Sequence, residues 1–277
     1  MPELPEVETV RRGLEARVRG QRIASVDLRR PDLRIPFPPG FASRLAGRRV
    51  ERIDRRAKYL LVRLDDGGVV IIHLGMAGRL VLSDGPSAAA PGKHEHVAIV
   101  FDNGVRMTYD DHRRFGLMTV TEAADLDAHP LLAHLGLEPL APSFNGAALA
   151  KLFAGRRTPV KAALLDQTAV VGVGNIYACE AMFRAHISPR RLARTITGER
   201  ADRLAAAVRA VLEEAVAAGG SSLRDYVQAS GELGYFQHAW RVYGRAGEKC
   251  RTRGCKGTVK RMVQSNRSTF YCPVCQR

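Results

Sequence analysis

The sequence predicts a multidomain α+β protein that opens with an α-helix, continues as an antiparallel β-sandwich or flattened barrel, and ends in a helical part and a short cysteine-rich hairpin. Three observations support this class. Alternating apolar residues with turn signals run from about residue 22 to 120, helical periodicity dominates from 147 to 218, and four of the five cysteines follow residue 249. A chain of 277 residues is long enough for two parts that each bury a core.

The first helix is predicted almost at the chain terminus. Gly20 follows a run of apolar residues at helical spacing, which are Leu4, Val7, Val10, Leu14 and Val18. A small second residue normally permits removal of the initiator methionine, so Pro2 would carry a free secondary amine at the positive end of this helix. Such an amine is a nucleophile with a reference pKa of about 8, which the helix end lowers. The alternative is a proline that only starts the helix.

Two hairpins are predicted in the β part. The apolar runs 60–64 and 69–74 flank an Asp-Asp-Gly-Gly turn, and the alternating runs 97–101 and 105–109 flank Asn103-Gly104. An Asn-Gly pair between alternating runs is a strong hairpin signal. The stretch 83–92 is rich in Ala, Pro, Gly and Ser and is predicted to be a surface loop.

A proline-punctuated linker separates the β part from the helical part. Helices are predicted after it at 147–153, 160–166, 176–185 and 201–218. The third helix follows Gly172-Val173-Gly174-Asn175, a glycine-rich turn that can present backbone N–H groups to a phosphate. No βαβ unit surrounds this turn, so it does not indicate a nucleotide-binding fold.

The cysteines divide into one isolated residue and four paired ones. Cys179 lies in a predicted helix, where a lone cysteine is most often a small core residue. The others form two close pairs, Cys250 with Cys255 and Cys272 with Cys275. This spacing predicts one structural zinc ion held by four thiolates. Disulfides are the alternative, but nothing in the sequence indicates export.

The charge of the chain favours nucleic acid as a partner. Lys and Arg number 43 against 28 Asp and Glu, a net charge of +15. The segment 244–277 carries nine basic residues and one acid, which suits contact with a nucleic-acid backbone. No apolar run approaches the roughly 20 residues of a membrane span. The first residues do not resemble a secretion signal, so we expect a cytoplasmic, nucleoid-associated protein.

In this order, the motifs closely resemble the formamidopyrimidine-DNA glycosylase family, bacterial enzymes that remove oxidised purines from DNA. The resemblance spans the whole chain and rests on residues 2–9, 56–60, 73–76, 93–96, 113–116 and 172–178 and on the terminal cysteines. It implies an N-terminal β-sandwich catalytic domain (1–130), a linker (131–143), a helix–two-turn–helix domain (144–243) with a lesion-capping loop at about 219–243, and a zinc finger (244–277). It also implies that damaged double-stranded DNA lies between the two main domains.

The resemblance implies a bifunctional enzyme of base excision repair, a glycosylase and an AP lyase that acts by β,δ-elimination through a Schiff base. Pro2 would attack C1′ of the deoxyribose, and Glu3 would protonate the ring oxygen from a carboxyl whose pKa a closed site can raise. Lys58 is the matching second basic residue, and it either transfers a proton or binds phosphate. Glu6 and Glu8 are interpreted as favourable charges at the helix start.

The resemblance also implies the DNA contacts. Met76, Arg113 and Phe115 would fill the space left by the extruded base, with Arg113 bonding the orphaned cytosine. For Met76 and Phe115 the alternative is core packing, although their glycine-flanked positions favour loop tips. The residues expected to hold the DNA backbone are Lys58, His94, Arg156, Asn175 and Arg267. Arg267 matches the phosphate-clamping arginine and is grouped with the catalytic residues, whereas His73 and His96 are interpreted as structural.

Two departures from the family pattern and two alternative functions accompany this hypothesis. Four residues separate Cys250 from Cys255 where the family usually has two, and Arg224 stands near a position where lysine is common.

An endonuclease VIII-type enzyme for oxidised pyrimidines shares the fold, but Glu3-Leu4-Pro5 and Arg113-Arg114-Phe115 favour the purine enzyme. A non-catalytic zinc-containing DNA-binding protein would have no need for Pro2 and Glu3. We expect a monomer without a small-molecule cofactor.

Overall fold

The computed structural model describes residues 2–85, 91–221 and 234–277. The chain divides into two compact units, one formed by Met1–Ala133 with Ala218–Gln237 and the other by His134–Ala217 with His238–Arg277. Within the described ranges, no helix is both long enough and apolar enough to span a membrane.

The first unit is a β-sandwich opened by a helix, as predicted. Helix α1 (Leu4–Val18) is followed by β1 (Ile23–Leu28), the short α2 (Phe41–Leu45), β2 (Val50–Arg56), β3 (Tyr59–Leu64), β4 (Gly68–His73), β5 (Arg79–Asp84), β6 (Glu95–Phe101), β7 (Val105–Asp110) and β8 (Leu117–Glu122). Two antiparallel sheets form, in the orders β1-β6-β7-β5 and β2-β3-β4-β8. One apolar core contains residues of α1, of α2 and of both sheets.

The turns of this unit follow the sequence signals. Gly67 and Gly104 adopt positive φ in the two predicted hairpins, where the Asn103 carboxamide accepts the Val105 N–H. The short helix α2 was not predicted, because its five residues are too few to show a helical spacing of apolar residues. Of the expected surface loop at 83–92, residues 86–90 lie outside the described residues.

The second unit contains the four predicted helices, α3 (Gly146–Phe153), α4 (Val160–Leu165), α5 (Asn175–Arg184) and α6 (Glu199–Ala217). Helix α5 is central, because every residue from Ile176 to Phe183 is buried. It packs against α4, α6 and the terminal hairpin. Cys179 is fully buried in the apolar cluster between α5 and the cysteine module, so its expected core position is confirmed.

The terminal module is a two-stranded antiparallel hairpin, β9 (Lys260–Gln264) and β10 (Arg267–Tyr271). Ser265 and Asn266 join the strands, and both have positive φ, 48° and 57°. Two central residues with positive φ make the type I′ turn that matches the twist of paired strands. The turn therefore sets Arg267 at the first position of β10.

A buried carboxylate connects α5 to the chain that enters the cysteine module. Glu180 is fully buried, and its two oxygens accept the N–H groups of Arg241, Val242 and Tyr243 at 2.9, 3.0 and 2.8 Å. Three consecutive backbone donors are thus satisfied by one side chain, which fixes this segment on α5.

Glu180→Ala is expected to destabilise the zinc-loaded chain by about 3 kcal/mol, because one buried and two partly buried N–H groups lose their acceptor. Thermal unfolding would show a fall in Tm of roughly 6–10 °C. Glu214→Gln is the matched control, since Glu214 makes a bidentate but half-exposed ion pair with Arg184. Such a pair contributes about 1 kcal/mol or less. Equal losses in the two variants would contradict this role for Glu180.

Candidate functional site

The start of α1 is held by reciprocal hydrogen bonds. Pro2 and Glu3 are both buried, and Glu3 is the N-cap residue. The Glu3 carboxylate accepts the Glu6 N–H, and the Glu6 carboxylate accepts the Glu3 N–H at 2.8 Å. This capping box satisfies two helix N–H groups that would otherwise lack acceptors. The backbone that carries Pro2 is therefore fixed rather than frayed.

Glu6 does more than supply a favourable charge at the helix start. Its side chain is 2% exposed, and its second oxygen accepts the Ser221 N–H at 2.8 Å. Ser221 immediately precedes residues 222–233, which contain Arg224 and much of the expected capping loop and lie outside the described residues. Glu6 thus connects the helix start to the chain at the base of this segment.

Lys58 lies in the two-residue turn between β2 and β3. Its neighbour Ala57 has a φ of 54°, and both residues are buried, Lys58 to 7% exposure. Tyr59, the first residue of β3, pairs with His73, and their rings lie 4.8 Å apart. Burial lowers the pKa of His73 to about 4, with the Lys58 and Arg34 charges adding to the effect. The imidazole beside Lys58 is therefore neutral at pH 7.

His73 and His96 both make local hydrogen bonds. The neutral His73 accepts the Gly75 N–H on Nδ1 at 3.0 Å, which ties the end of β4 to the turn that carries Met76. His96 is buried, and its Nε2–H donates to the Asp111 carbonyl at 2.8 Å. His94, by contrast, is half-buried, with its ring 6.0 Å from that of His112.

Two turns meet backbone to backbone and carry exposed apolar side chains. A Cβ on Gly75 would lie 2.4 Å from backbone atoms of Phe115 and Gly116, and one on Gly116 would overlap the Tyr109 hydroxyl. Only glycine permits this approach. Met76 and Phe115 are 36% and 47% exposed at these turns, so neither is a core residue.

Asp111 organises the second of these turns and was not singled out in the sequence. It is fully buried, and its carboxylate accepts the N–H groups of Arg113 at 3.1 Å and Gly116 at 2.9 Å and the Tyr109 hydroxyl at 3.3 Å. The Arg113 guanidinium lies 4.8 Å from the centre of the Phe115 ring. An Asp that directly follows a strand and bonds the N–H two residues on is an Asx-turn signal, which could have identified it.

In the second unit, the backbone carbonyl of Ser268 connects β10 to the start of α5 and to α4. Asn175 begins α5, and its amide donates to the Ser268 carbonyl at 2.9 Å. Ser268 follows the exposed Arg267 in β10. Lys161, which is 1% exposed, donates to the same carbonyl at 3.1 Å and to the Thr269 hydroxyl at 2.7 Å. Sequence reasoning missed Lys161, because nothing local distinguishes it from a surface lysine of α4.

Arg156 has a partner within its own unit. Its guanidinium forms an ion pair with Asp166 at 2.5 Å, and both side chains are about one-third exposed. Burial raises the pKa of the Asp166 carboxyl, but hydrogen bonds from Thr168 and Arg156, together with the Arg156 charge, hold this pKa below its ordinary value. Any contact of Arg156 with a further anion would share the guanidinium with Asp166.

The four paired cysteines converge on one point. Their sulfur atoms all lie within 4.8 Å of one another, with separations of 3.7 Å for Cys250–Cys275 and 3.8 Å for Cys255–Cys272. Zn–S bonds of about 2.3 Å in a tetrahedron require sulfurs about 3.8 Å apart. The thiols therefore fit one structural zinc ion, and these separations exclude disulfides. The four residues between Cys250 and Cys255 form a turn in which the Thr252 carbonyl accepts the Cys255 N–H.

Three family models match successive parts of the chain. They are the formamidopyrimidine-DNA glycosylase N-terminal domain at residues 1–118, the corresponding H2TH domain at 135–227, and a zinc finger found in FPG and IleRS at 247–277. A formamidopyrimidine-DNA glycosylase of Methylocella silvestris is 57% identical over the full length of both chains.

Solved structures of a Lactococcus lactis relative share the fold. A point mutant of that Fpg in complex with a Fapy-dG containing DNA has a TM-score of 0.90, and the wild-type Fpg (MutM) with an oxidised pyrimidine containing DNA has a TM-score of 0.89. Both are 32% identical to this chain, and the comparisons cover 100% of each chain.

The depressed pKa of His73 predicts a pH dependence of stability. The folded state has a pKa of about 4 against 6.5 for an ordinary histidine, so the unfolded state binds more protons between these values. Stability is therefore lost as the pH falls from about 6.5 to 4, by about 3 kcal/mol from this residue. Urea unfolding at pH 7 and 4.5 should show a smaller loss for His73→Gln than for the unsubstituted chain. Identical losses would contradict a lowered pKa for His73 in the folded protein.

Proposed function

The chain belongs to the formamidopyrimidine-DNA glycosylase family, and on this premise we propose that it removes oxidised purines from duplex DNA with Pro2 as its nucleophile. It is a bifunctional DNA glycosylase and AP lyase of base excision repair, its partner is damaged DNA, and it carries one structural zinc ion. The proposed substrates are 8-oxoguanine opposite cytosine and formamidopyrimidines. The observation that carries the assignment of Pro2 is the buried, capped start of α1.

The proposed reaction begins at the secondary amine that Pro2 carries once Met1 is removed. Its nitrogen attacks C1′ of the damaged nucleotide, the N–C1′ bond forms, and the glycosidic bond breaks with its electron pair leaving on the base. The amine proton passes to the departing base, which restores the lone pair on the nitrogen. The nitrogen lone pair then opens the sugar ring to an iminium, and Glu3 donates the proton that O4′ takes up. Loss of a 2′ proton expels the 3′ phosphate, and a second elimination expels the 5′ phosphate.

The roles of Glu3 and Lys58 are proposed from their placement in the first unit. Glu3 is adjacent to Pro2 in the chain and is held at the N-cap of α1, which supports proton transfer beside the nucleophile. Lys58 is buried in the two-residue turn after β2, next to the neutral His73. A buried lysine side chain in this turn suits proton transfer or contact with one phosphate of the lesion nucleotide.

Base extrusion is assigned to the two turns that meet at Gly75 and Gly116. Extrusion of a stacked base costs a few kcal/mol, and side chains that occupy the vacated space offset this cost. The exposure of Met76 and Phe115 supports an intercalating role for both. Arg113 is also exposed and presents donors beside the Phe115 ring, as contact with the orphaned cytosine requires.

Contacts to the DNA backbone are proposed for His94, Arg156, Asn175 and Arg267. The Asn175 amide donates to the carbonyl of Ser268, the residue after Arg267, and this closeness supports a shared phosphate site at the start of α5. Arg267 is also proposed to assist the eliminations. We further propose the domain boundaries given above, a monomeric enzyme, and a cytoplasmic location at the nucleoid.

Borohydride trapping tests the nucleophile and the lesion class together. A duplex with one 8-oxoguanine opposite cytosine is expected to give a covalent adduct that mass spectrometry maps to Pro2, because the iminium is reducible. A parallel duplex carries an oxidised pyrimidine. Preferential trapping on the pyrimidine would favour the endonuclease VIII-type activity, and binding without an adduct on either duplex would favour a non-catalytic DNA-binding protein.

Asp111→Asn is expected to slow base excision without preventing trapping at Pro2. An amide replaces one acceptor oxygen with a donor, so the turn that presents Arg113 and Phe115 loses part of its support. Single-turnover excision of 8-oxoguanine should fall about tenfold. Cleavage of a duplex with a preformed abasic site, which has no base to extrude, should change less than about threefold. Equal losses on both substrates would contradict a role in extrusion.

A further inference from the structure

Glu8 lies at the centre of a charged cluster on α1. Its side chain is 12% exposed, and its carboxylate accepts hydrogen bonds from Arg11 at 3.1 Å, Arg12 at 2.9 Å and Arg55 at 3.2 Å. Contacts with these guanidiniums hold the pKa of the Glu8 carboxyl below its ordinary value, against the opposing effect of burial. Glu8 is therefore more than a charge near the helix start, because it connects α1 to the end of β2.

Arg55 continues this connection into the turn that carries Lys58. Its side chain is 11% exposed, its Nε donates to Glu8, and its Nη1 donates to the Ala57 carbonyl at 2.9 Å. Ala57 adopts a left-handed φ of 54°, a conformation that a residue with a Cβ adopts only when its surroundings hold it there. The hydrogen bond from Arg55 is one restraint on this strained peptide.

The attachment of α1 to the sheet does not depend on Glu8 alone. The Arg11 guanidinium donates to the Ile53 carbonyl at 3.0 Å, and the Glu15 carboxylate accepts the Ile53 N–H at 2.6 Å. Apolar residues of α1, such as Val10 and Leu14, are buried in the sandwich core. Loss of the Glu8 charge would thus leave α1 docked and would act mainly on Arg55 and the turn.

We propose that Glu8 and Arg55 are positioning residues that set Lys58 relative to Pro2. The inference rests on the proposed function, because it needs Lys58 to take part in the reaction. Pro2 lies just before α1 and Lys58 in the turn that follows β2, so their separation depends on what joins α1 to β2. The path from Glu8 through Arg55 to the Ala57 carbonyl joins α1 directly to the residue that precedes Lys58.

The test is a double-mutant cycle between Glu8→Gln and Lys58→Gln in the full-length, zinc-loaded protein. The readouts are the single-turnover rate of 8-oxoguanine excision and the Kd for the same duplex. Glu8→Gln should lower the rate about tenfold and change the Kd less than about threefold. In the Lys58→Gln background it should lower the rate less than about twofold, because the residue it positions is already lost.

Asp54→Asn is the matched control. Asp54 lies in the same hairpin, accepts hydrogen bonds from Arg52 and Arg63, and has a carboxyl pKa held below its ordinary value by them, against the effect of burial. Within the part of the chain that the structure describes, its carboxylate bonds these two arginines rather than Arg55 or Ala57. The single-turnover rate of 8-oxoguanine excision by the Asp54→Asn variant should stay within about twofold of that of the unsubstituted protein.

Arg55→Lys is the second variant if Glu8→Gln does not fold. The substitution keeps the positive charge. An ammonium lacks the separate guanidinium N–H donors that bond Glu8 and the Ala57 carbonyl at the same time, so the same rate loss is expected. A rate loss that is fully additive with Lys58→Gln, or no rate loss, would overturn the positioning role. If the unsubstituted protein forms no adduct at Pro2, the proposed function itself fails, which trapping reveals independently of the cycle.

Discussion

The capping box at the start of α1 is the interaction on which the proposed chemistry depends. A chain terminus normally frays, and a nucleophile on a frayed terminus would sample many positions. Here the reciprocal bonds between Glu3 and Glu6 fix the first turn, and Glu6 also accepts the Ser221 N–H. The residue pair that caps the helix thus also includes the proposed proton donor. Helix capping and catalysis both place a carboxyl group beside the second residue of the chain, where it accepts a helix N–H and can transfer a proton.

Buried carboxylates that accept backbone N–H groups recur through the molecule. Glu6 bonds the N–H groups of Glu3 and Ser221, Asp111 fixes the turn that carries Arg113, and Glu180 holds three consecutive N–H groups before the cysteine module. Each would be costly to bury without these donors. Each lies where an irregular segment meets a helix or strand. The carboxylates therefore give loops a definite shape that apolar packing alone would not impose, and two of these loops carry residues of the proposed site.

The zinc module and α5 form a second organised region. The cysteine sulfurs are arranged as a tetrahedral ion requires, and apolar residues of the module pack on α5 around Cys179. The type I′ turn then sets Arg267 at the first position of β10, followed by Ser268, whose carbonyl accepts hydrogen bonds from both Asn175 and Lys161. Zinc thus acts at a distance from the DNA contacts proposed here. It stabilises a hairpin whose register determines where Arg267 stands relative to the start of α5.

The sequence by itself determined the elements whose signals are local. Periodicity located α1 and the four later helices, Asn103-Gly104 located a hairpin, cysteine spacing indicated zinc, and the motifs resembled one family from end to end. Only the tertiary structure decided which polar residues are buried and what they bond. Lys161 and the connection from Glu8 to Ala57 through Arg55 depend on partners that are distant in sequence, and the complete burial of Asp111 depends on the elements packed around it. Local patterns carry no information about such partners, because hydrogen-bond geometry and exclusion of water arise only when separate elements pack together.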